Sequence, residues 1–314
     1  MKILITGGAG FIASQIAEAY LAAGHAVTIV DNLSTGRKAN IPQGATFVEA
    51  DIRDAAAMNK LFSSTSFDLM SHHAAQMDVR KSVADPVYDA SVNVLGVLTL
   101  LQECVRTGVK HVVFASSGGA IYGEQDFFPA DETHPTRPIS PYGVAKLTTE
   151  QYLFYYYAVF GLNAVCLRYA NIYGPRQNPE GEAGVVAIFA NRMFAGQEPV
   201  INGEGKQTRD YVFVGDVVRA NVAAVGKTGF HIYNVGTGRE TDVNHLFRVI
   251  RDAVGSTCPE RHGEAKKGEQ LRSVLSHERI KKELGWTPSV TLEEGLARTV
   301  DHFRNALKAG GPAR

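Results

Sequence analysis

Cysteine is scarce in this sequence, and the three that occur are not paired. Cys104, Cys166 and Cys258 lie far apart, and no CxxC spacing is present. A dispersed, odd-numbered set gives no zinc framework, no dithiol site and no disulfide scaffold, so no metal is expected. Cys166 falls inside the apolar run Ala164-Val165-Cys166-Leu167 and reads as a small core residue. Thiols that stay reduced match a cytoplasmic compartment. Excess charge is missing as well: Lys+Arg and Asp+Glu are 32 each. A nucleic-acid binder shows a basic excess, so no nucleic-acid partner is expected. Long apolar runs are absent too. Nothing approaches the roughly 18 residues of a membrane span. The N-terminus has no basic region leading into an apolar signal segment. These absences leave a neutral cytoplasmic globule with no membrane partner.

The chain of 314 residues, 45% hydrophobic, is long enough for one large α/β domain or two unequal ones. Its first half alternates β-rich runs with helical patterns. Strands are predicted over residues 2–6, 26–31, 45–49, 69–72, 111–115 and 163–168. Helices are predicted over 11–23, 55–62, 87–107 and 141–160. Alternation of this kind implies a parallel, doubly wound sheet with crossover helices. The rhythm breaks after Gly174-Pro175. Gly, Pro, Asn and Gln crowd residues 175–210 around one helix over 185–194. A strand over 211–214, a helix over 217–225 and a strand over 233–235 follow, and the rest reads as mostly helical. The expected organisation is a nucleotide-binding domain over 1–174, with 211–236 returning to it. A smaller discontinuous domain takes 175–210 and 237–314.

The first strand runs into Thr6-Gly7-Gly8-Ala9-Gly10-Phe11-Ile12-Ala13. Gly7 allows a tight turn, and Gly10 lets the backbone approach a pyrophosphate. A helix starting at Phe11 aims its free N–H groups and positive dipole end at that anion. Ala13 stands where a third glycine is common. Asp31 ends the second strand, 21 residues after Gly10. A carboxylate there accepts from adenosine ribose hydroxyls and repels a 2′-phosphate, which favours NAD over NADP. Asp31 could also cap the turn formed by Asn32, Ser34, Thr35 and Gly36, and the two roles are compatible. Arg37 nearby keeps NADP open. Asp51 has two readings, binder of the adenine amine or N-cap of the next helix.

Pro138-Ile139-Ser140-Pro141-Tyr142-Gly143-Val144-Ala145-Lys146 sets a tyrosine and a lysine four apart at a helix start. That spacing puts both on one face. An ammonium beside a phenol favours the phenolate, which can take a proton from a hydroxyl while the carbon loses hydride. Such a pair arises easily by chance, so its weight comes from context. The preceding strand ends Phe114-Ala115-Ser116-Ser117-Gly118-Gly119-Ala120-Ile121-Tyr122-Gly123. Strand C-termini face the cofactor crevice in open α/β sheets. A serine there could hydrogen-bond the reacting oxygen, or simply polarise a turn.

Taken together, the chain resembles the extended short-chain dehydrogenase/reductase superfamily, and most closely its UDP-glucose 4-epimerase branch. The likeness rests on Thr6–Ile12, residues 31–36, His72-His73-Ala74-Ala75-Gln76, Ser116-Ser117, Tyr142/Lys146, residues 167–176 and Thr208-Arg209-Asp210-Tyr211. The resemblance implies tightly held NAD and a UDP-hexose substrate. Tyr142 would be the base, Ser117 its helper at the sugar C4 hydroxyl, and Lys146 the residue that holds the nicotinamide ribose. Family members place the serine or threonine four residues before the equivalent of Tyr122, where this chain has Gly118. One inserted residue in the Gly118-Gly119 turn would return Ser117, rather than Ser116, to the site. Related dehydratases carry an Asp-Glu pair where this chain has Gly119-Ala120.

The resemblance also implies cofactor contacts at Gly7, Gly10, Phe11, Ile12, Asp31, Asn32, Ser34, Thr35, Gly36, Asp51, Ile52, Ala74, Ala75, Gln76, Asn93, Ser116, Tyr142, Lys146 and Tyr169. His72 and His73 read as supporting residues. On the substrate side it implies Arg209 and Asn171 at the diphosphate, Val186, Val200 and Asn202 around phosphate and uracil, and Glu269 at the uridine ribose. The family arginine three residues before Glu269 is Lys266 here, and Arg272 could replace it. Ser273 stands where a bulky tyrosine excludes N-acetyl sugars in some relatives, which implies tolerance for UDP-N-acetylglucosamine. Helices over 92–107 and 142–160, with Leu153, Phe154, Tyr156, Tyr157 and Phe160, suit either a homodimer face or the core.

Overall fold

In the computed structural model, residues 1–179, 184–265 and 270–308 are described. Six strands pair in parallel: β1 (Lys2–Thr6), β2 (Ala26–Asp31), β3 (Thr46–Glu49), β4 (Leu69–His72), β5 (His111–Ser117) and β6 (Asn163–Tyr169). Their order is β3-β2-β1-β4-β5-β6, and a later strand, Phe230–Val235, adds at the β6 edge. The order reverses at β1, which lies between β2 and β4. That reversal opens a crevice at the strand C-termini, the usual ligand position in such sheets. Ile3, Leu4 and Ile5 of β1 are fully buried, because helices cover both sheet faces. A cluster of Leu4, Val30, Met70, Val112, Phe114 and Cys166 from the strands packs on Phe62, Leu100, Leu101, Cys104 and Leu153 from the helices.

Local chemistry sets the helix ends. α1 (Phe11–Ala22) follows the glycine turn. α2 (Ala55–Ser64) begins at Asp54, whose carboxylate accepts from Ala57 N at 3.0 Å. Asp51 therefore is not the N-cap. Asp78 and Asp85 cap α3 (Val79–Ala84) and α4 (Pro86–Ala90) in the same way. The predicted single helix over 87–107 is broken. α4 passes through a π-helical turn, Ser91–Leu95, into α5 (Gly96–Thr107). The wider turn carries Asn93 inward, to 3% exposure, where its amide finds partners. Gly118–Ile121 form one helical turn, α6. α7 (Pro141–Phe160) starts at Ser140, whose hydroxyl accepts from Gly143 N at 3.1 Å. Pro141 opens it and Gly161, at φ +69°, ends it.

The chain divides into two compact units. The first holds residues 1–121, 136–169 and 218–233; the second holds 122–135, 170–217 and the described residues from 234 on. The boundary thus differs from the composition break at Gly174-Pro175. Residues 122–135 leave the first unit, and the chain crosses inside the helix Val214–Ala224 rather than at 211.

Within the second unit, β7 (Asn171–Tyr173) pairs with β10 (Tyr211–Phe213). β8 (Val200–Asn202) pairs with Arg261–Gly263. β9 (Thr208–Arg209) lies between Thr241–Asp242 and Arg272–Ser273. The strand expected over 211–214 is present as β10. The other strands are too short to carry readable alternation, which is why the sequence predicted loops around one helix over 175–210 and mostly helix from 241 on. Phe189, Phe247, Leu246, Ile250, Leu296 and Phe303 supply the buried apolar side chains of its helices. Buried Asp210 accepts from Thr237 N and Oγ1, Gly238 N and Leu275 N. Those bonds fix the loops beside β9.

Candidate active site

The glycine turn sits at the C-terminal end of β1. Gly7 has φ +69°, and a Cβ there would lie 2.7 Å from Ala74 N. Only glycine fits against the segment that leaves β4. Gly10 is the N-cap of α1, and no side chain caps that helix start. Its first amides therefore remain available to an anion. Asp31, 8% exposed, accepts from Ala9 N at 3.0 Å through Oδ2 and from Leu33 N at 2.8 Å through Oδ1. So Asp31 does hold its turn, with Leu33 in the left-handed region at φ +57°. Each oxygen still has a second lone pair. A Cβ on Gly36 would come within 2.8 and 2.9 Å of those oxygens. The absent side chain leaves a cradle in front of the carboxylate, which fits a ribose diol. These features fit a dinucleotide such as NAD.

Asn32 donates to Asp51 Oδ2 at 3.0 Å, and Arg53 binds both Asp51 oxygens. The Arg53 guanidinium holds the Asp51 carboxyl well below the usual carboxylate range. Ser34 and Thr35 are exposed on the same loop. Ile52 is 5% exposed and packs in the core cluster. At the end of β4, Thr6 Oγ1 meets His72 Nδ1 at 2.7 Å and accepts from Ala74 N at 3.2 Å. Burial and the Lys146 charge push His72 well below its ordinary pKa and His73 down to about 3. Both are neutral supports. Gln76 is tied inward: its N–H donates to Asn93 Oδ1 at 2.9 Å, and its amide donates to Asp89 Oδ1 at 2.9 Å. Tyr169 is buried, with its hydroxyl bound to Asn221.

Tyr142 and Lys146 share one face of the first two turns of α7. Lys146, 4% exposed, donates from Nζ to Ala115 O at 2.8 Å. Its Nζ lies 5.7 Å from the Tyr142 ring centroid and 4.8 Å from that of Phe114. The two serines separate by partner. Ser117 stands near the Tyr142 hydroxyl, close enough to oppose the rise of its pKa. Ser116 donates to buried Glu150 at 2.6 Å, and Glu150 also pairs with Arg168 at 2.6 Å. β5 extends to Ser117, two residues beyond expectation, and the α6 turn takes up Gly118-Gly119.

The expected acidic phenol is not what the protein alone provides. Burial raises the Tyr142 pKa to about 12; the nearby Ser117 hydroxyl opposes this and the Asp89 charge adds to it. Burial also lowers Lys146 to about 8, against the charges of Asp89 and Glu150. Desolvation outweighs the ammonium because the phenolate, like the ammonium, loses water on burial. Sequence reasoning missed Asp89, Glu150 and Thr6. The i, i+4 spacing of Asp89 and Asn93 in an apolar helix was the available signal.

In the second unit, Arg209 on β9 donates from Nη1 to the Thr208 carbonyl at 2.8 Å and is paired in register with Ser273. Asn171 N donates to the Asp210 carbonyl at 2.9 Å, which brings Asn171 beside Arg209 along the backbone. Val186 is buried on the helix Val185–Phe194, whereas Val200 is exposed on β8 two residues from Asn202. Ser273 is 3% exposed. Arg272 is bound by Glu240 and stacked on Phe128, with its guanidinium carbon 3.7 Å from the ring centroid. Glu269 and Lys266 lie outside the described residues.

Comparison with known proteins agrees with this geometry. A UDP-glucose 4-epimerase of Mycolicibacterium smegmatis is 43% identical over 311 residues, 97% of this chain and 99% of that protein. The crystal structure of a Thermotoga maritima UDP-glucose 4-epimerase with UDP-glucose superposes with a TM-score of 0.96 at 47% identity, over 98% of this chain and all of that one. A Thermus thermophilus UDP-glucose 4-epimerase in complex with NAD gives 0.92 at 44% identity, with the same shares covered. The sequence profile of the NAD dependent epimerase/dehydratase family matches residues 3–236, and the chain belongs to that family.

Proposed function

We propose that this chain is an NAD-dependent 4-epimerase that interconverts UDP-glucose and UDP-galactose. The carrying observation is that Ser117 stands near the Tyr142 hydroxyl, with buried Lys146 one helical turn away on the same helix. Relatives of 43–47% identity over nearly the full chain support the substrate class.

Tyr142 takes the proton of the sugar C4 hydroxyl, and Ser117 orients that hydroxyl through its own. Lys146 holds a positive charge behind the phenol and donates to the ribose of the nicotinamide half. Bound there, NAD would supply the hydride acceptor and donor and, in its oxidised form, a positive charge that favours the phenolate. Gly7, Gly10, Phe11 and Ile12 cradle the pyrophosphate. Asp31, beside Asn32, Ser34, Thr35 and Gly36, holds the adenosine ribose, and Asp51 with Ile52 flanks the adenine. Ala74, Ala75, Gln76, Asn93, Ser116 and Tyr169 line or support the rest. Loss of hydride from C4 leaves a 4-keto sugar. Rotation about the link to the diphosphate turns its other face, and hydride return inverts C4. Water exclusion protects the ketone. Arg209 and Asn171 hold the diphosphate, Val186, Val200 and Asn202 surround phosphate and uracil, and Glu269 binds the uridine ribose. A dehydratase outcome is disfavoured by Gly119-Ala120, which supply no acid–base pair.

The small, buried Ser273 paired with Arg209 favours a wider substrate range that includes UDP-N-acetylglucosamine. The working form is a cytoplasmic homodimer joined through α5 and α7. The test is incubation of purified protein with UDP-galactose and no added nicotinamide cofactor. Interconversion is expected; conversion that requires and consumes added cofactor identifies a reductase or dehydrogenase instead.

A further inference from the structure

A buried carboxylate lies behind the proposed chemistry with no role assigned to it. Asp89 is 1% exposed. Its Oδ1 accepts two hydrogen bonds, from Gln76 Nε2 and Asn93 Nδ2, each 2.9 Å. Its Oδ2 is buried and has no donor among the described residues. Asn93 and Gln76 further grip each other through the 2.9 and 2.8 Å bonds between the Asn93 amide and the Gln76 backbone. The π-helical turn that carries Asn93 is anchored to α7 by Thr149, whose hydroxyl donates to Asn93 O at 3.0 Å. The carboxylate is therefore fixed in rotation relative to the helix that carries Lys146.

A carboxylate oxygen left bare in the interior is costly unless a positive charge stands near it. Lys146 is that charge. The two are not in direct contact, but α4 and the π-helical turn pack on α7, the Thr149–Asn93 bond holds the clamped carboxylate on the Lys146 side, and each charge acts on the other through space. Nζ has three protons and makes one hydrogen bond, to Ala115 O. Among the described residues, the other charged or titratable groups beside Lys146 are Tyr142 and Glu150 on its own helix and His72 and His73 at the end of β4. The histidines are neutral. Glu150 is already occupied by Arg168 and Ser116.

We propose that Asp89 is a positioning residue: clamped through Oδ1 by Gln76 and Asn93, it is the buried counter-charge that keeps Lys146 an ammonium beside Tyr142. This deepens the reading of Lys146 given under the proposed function. Asp89 touches no reacting atom. It acts through the lysine, at the expense of a direct unfavourable effect on the phenolate.

The test reads the lysine itself. Protein carrying 13C at lysine Cε is titrated by NMR, and the Lys146 signal is identified by its loss in Lys146→Arg. Asp89→Asn is isosteric and keeps an oxygen for both clamping donors, so the fold is retained. The expected result is a Lys146 midpoint lower by about one pH unit or more in Asp89→Asn, with Asp89→Glu close to the parent. The alkaline fall of kcat then moves down by the same amount, so that the loss is about tenfold above that limb and small below it. An unmoved Lys146 midpoint, or a kcat loss equal at every pH, overturns the proposal. The titration needs no turnover. A parent protein that fails to convert UDP-sugars therefore refutes the proposed function and leaves this result readable.

Discussion

At the scale of single residues, the site is governed by competition between burial and charge. Lys146 has its pKa lowered to about 8, chiefly by burial. Its charge is present below that value and lost above it. Turnover is therefore expected to fall as pH rises through about 8, and a pH–rate profile of kcat checks this. An alkaline limb that survives unchanged in Lys146→Met would contradict the assignment. The two serines separate in a second measurement. Ser117→Ala is expected to lower kcat by about 10- to 100-fold with little change in melting temperature. Ser116→Ala leaves Glu150 short of a buried donor and is expected to cost about 1–3 kcal/mol of stability, with turnover much less affected. Reversal of the two phenotypes would move the catalytic hydroxyl to Ser116.

Much of this scale was legible beforehand. The Tyr142/Lys146 spacing, Asp31 and the glycine turn are local patterns, and each of them reads from a few adjacent residues. The direction of the Tyr142 shift was not legible. It depends on how completely neighbouring elements exclude water, which spacing along one helix does not encode. Asp89 was hidden for the same reason. Its partners Gln76 and Asn93 come from separate elements, and only packing shows that one of its oxygens is bare.

At the scale of elements, one ion pair ties three of them together. Glu150 on α7 binds Ser116 on β5 and Arg168 on β6, all nearly fully buried. Glu150→Ala strands the Arg168 guanidinium in the interior. It is expected to cost about 3–5 kcal/mol in denaturant unfolding; a loss below about 1 kcal/mol would show that water reaches the pair. The cofactor loop gives a separate prediction. Gly36→Val fills the space before the Asp31 carboxylate, so purified variant protein is expected to retain less dinucleotide than the parent, by absorbance and extraction. Equal retention would place the ribose elsewhere. The long strands β1 to β6 and the helices α1, α2 and α7 were predicted within a residue or two, because they have clear apolar runs and Asp, Ser, Pro or Gly at their ends, whereas α3 was not predicted and α4 and α5 were merged. The π-helical turn and two- or three-residue strands have no such signature.

At the scale of the whole molecule, α7 presents aromatic surface. Leu153 and Tyr156 enter the core, whereas Phe154, Tyr155 and Phe160 are about half exposed, at 51%, 48% and 50%. Of the residues named for such a face, Phe154, Tyr157 and Phe160 are exposed and Leu153 and Tyr156 are core, while Tyr155 and Val159 add to the exposed set. Exposed apolar clusters of this kind mark association surfaces. Analytical ultracentrifugation is expected to give twice the chain mass of 34.0 kDa, and Phe154→Asp with Tyr155→Asp is expected to give the monomer. A monomeric parent would refute the dimer. No helix among the described residues is long and apolar enough to cross a membrane.

The central claim is that the Tyr142 oxygen takes the proton as C4 gives up hydride. Its most direct test is kcat for Tyr142→Phe with UDP-galactose, on protein shown to bind dinucleotide and melt as the parent does. The account predicts a loss of about a thousandfold or more. A variant within about tenfold of the parent would contradict it.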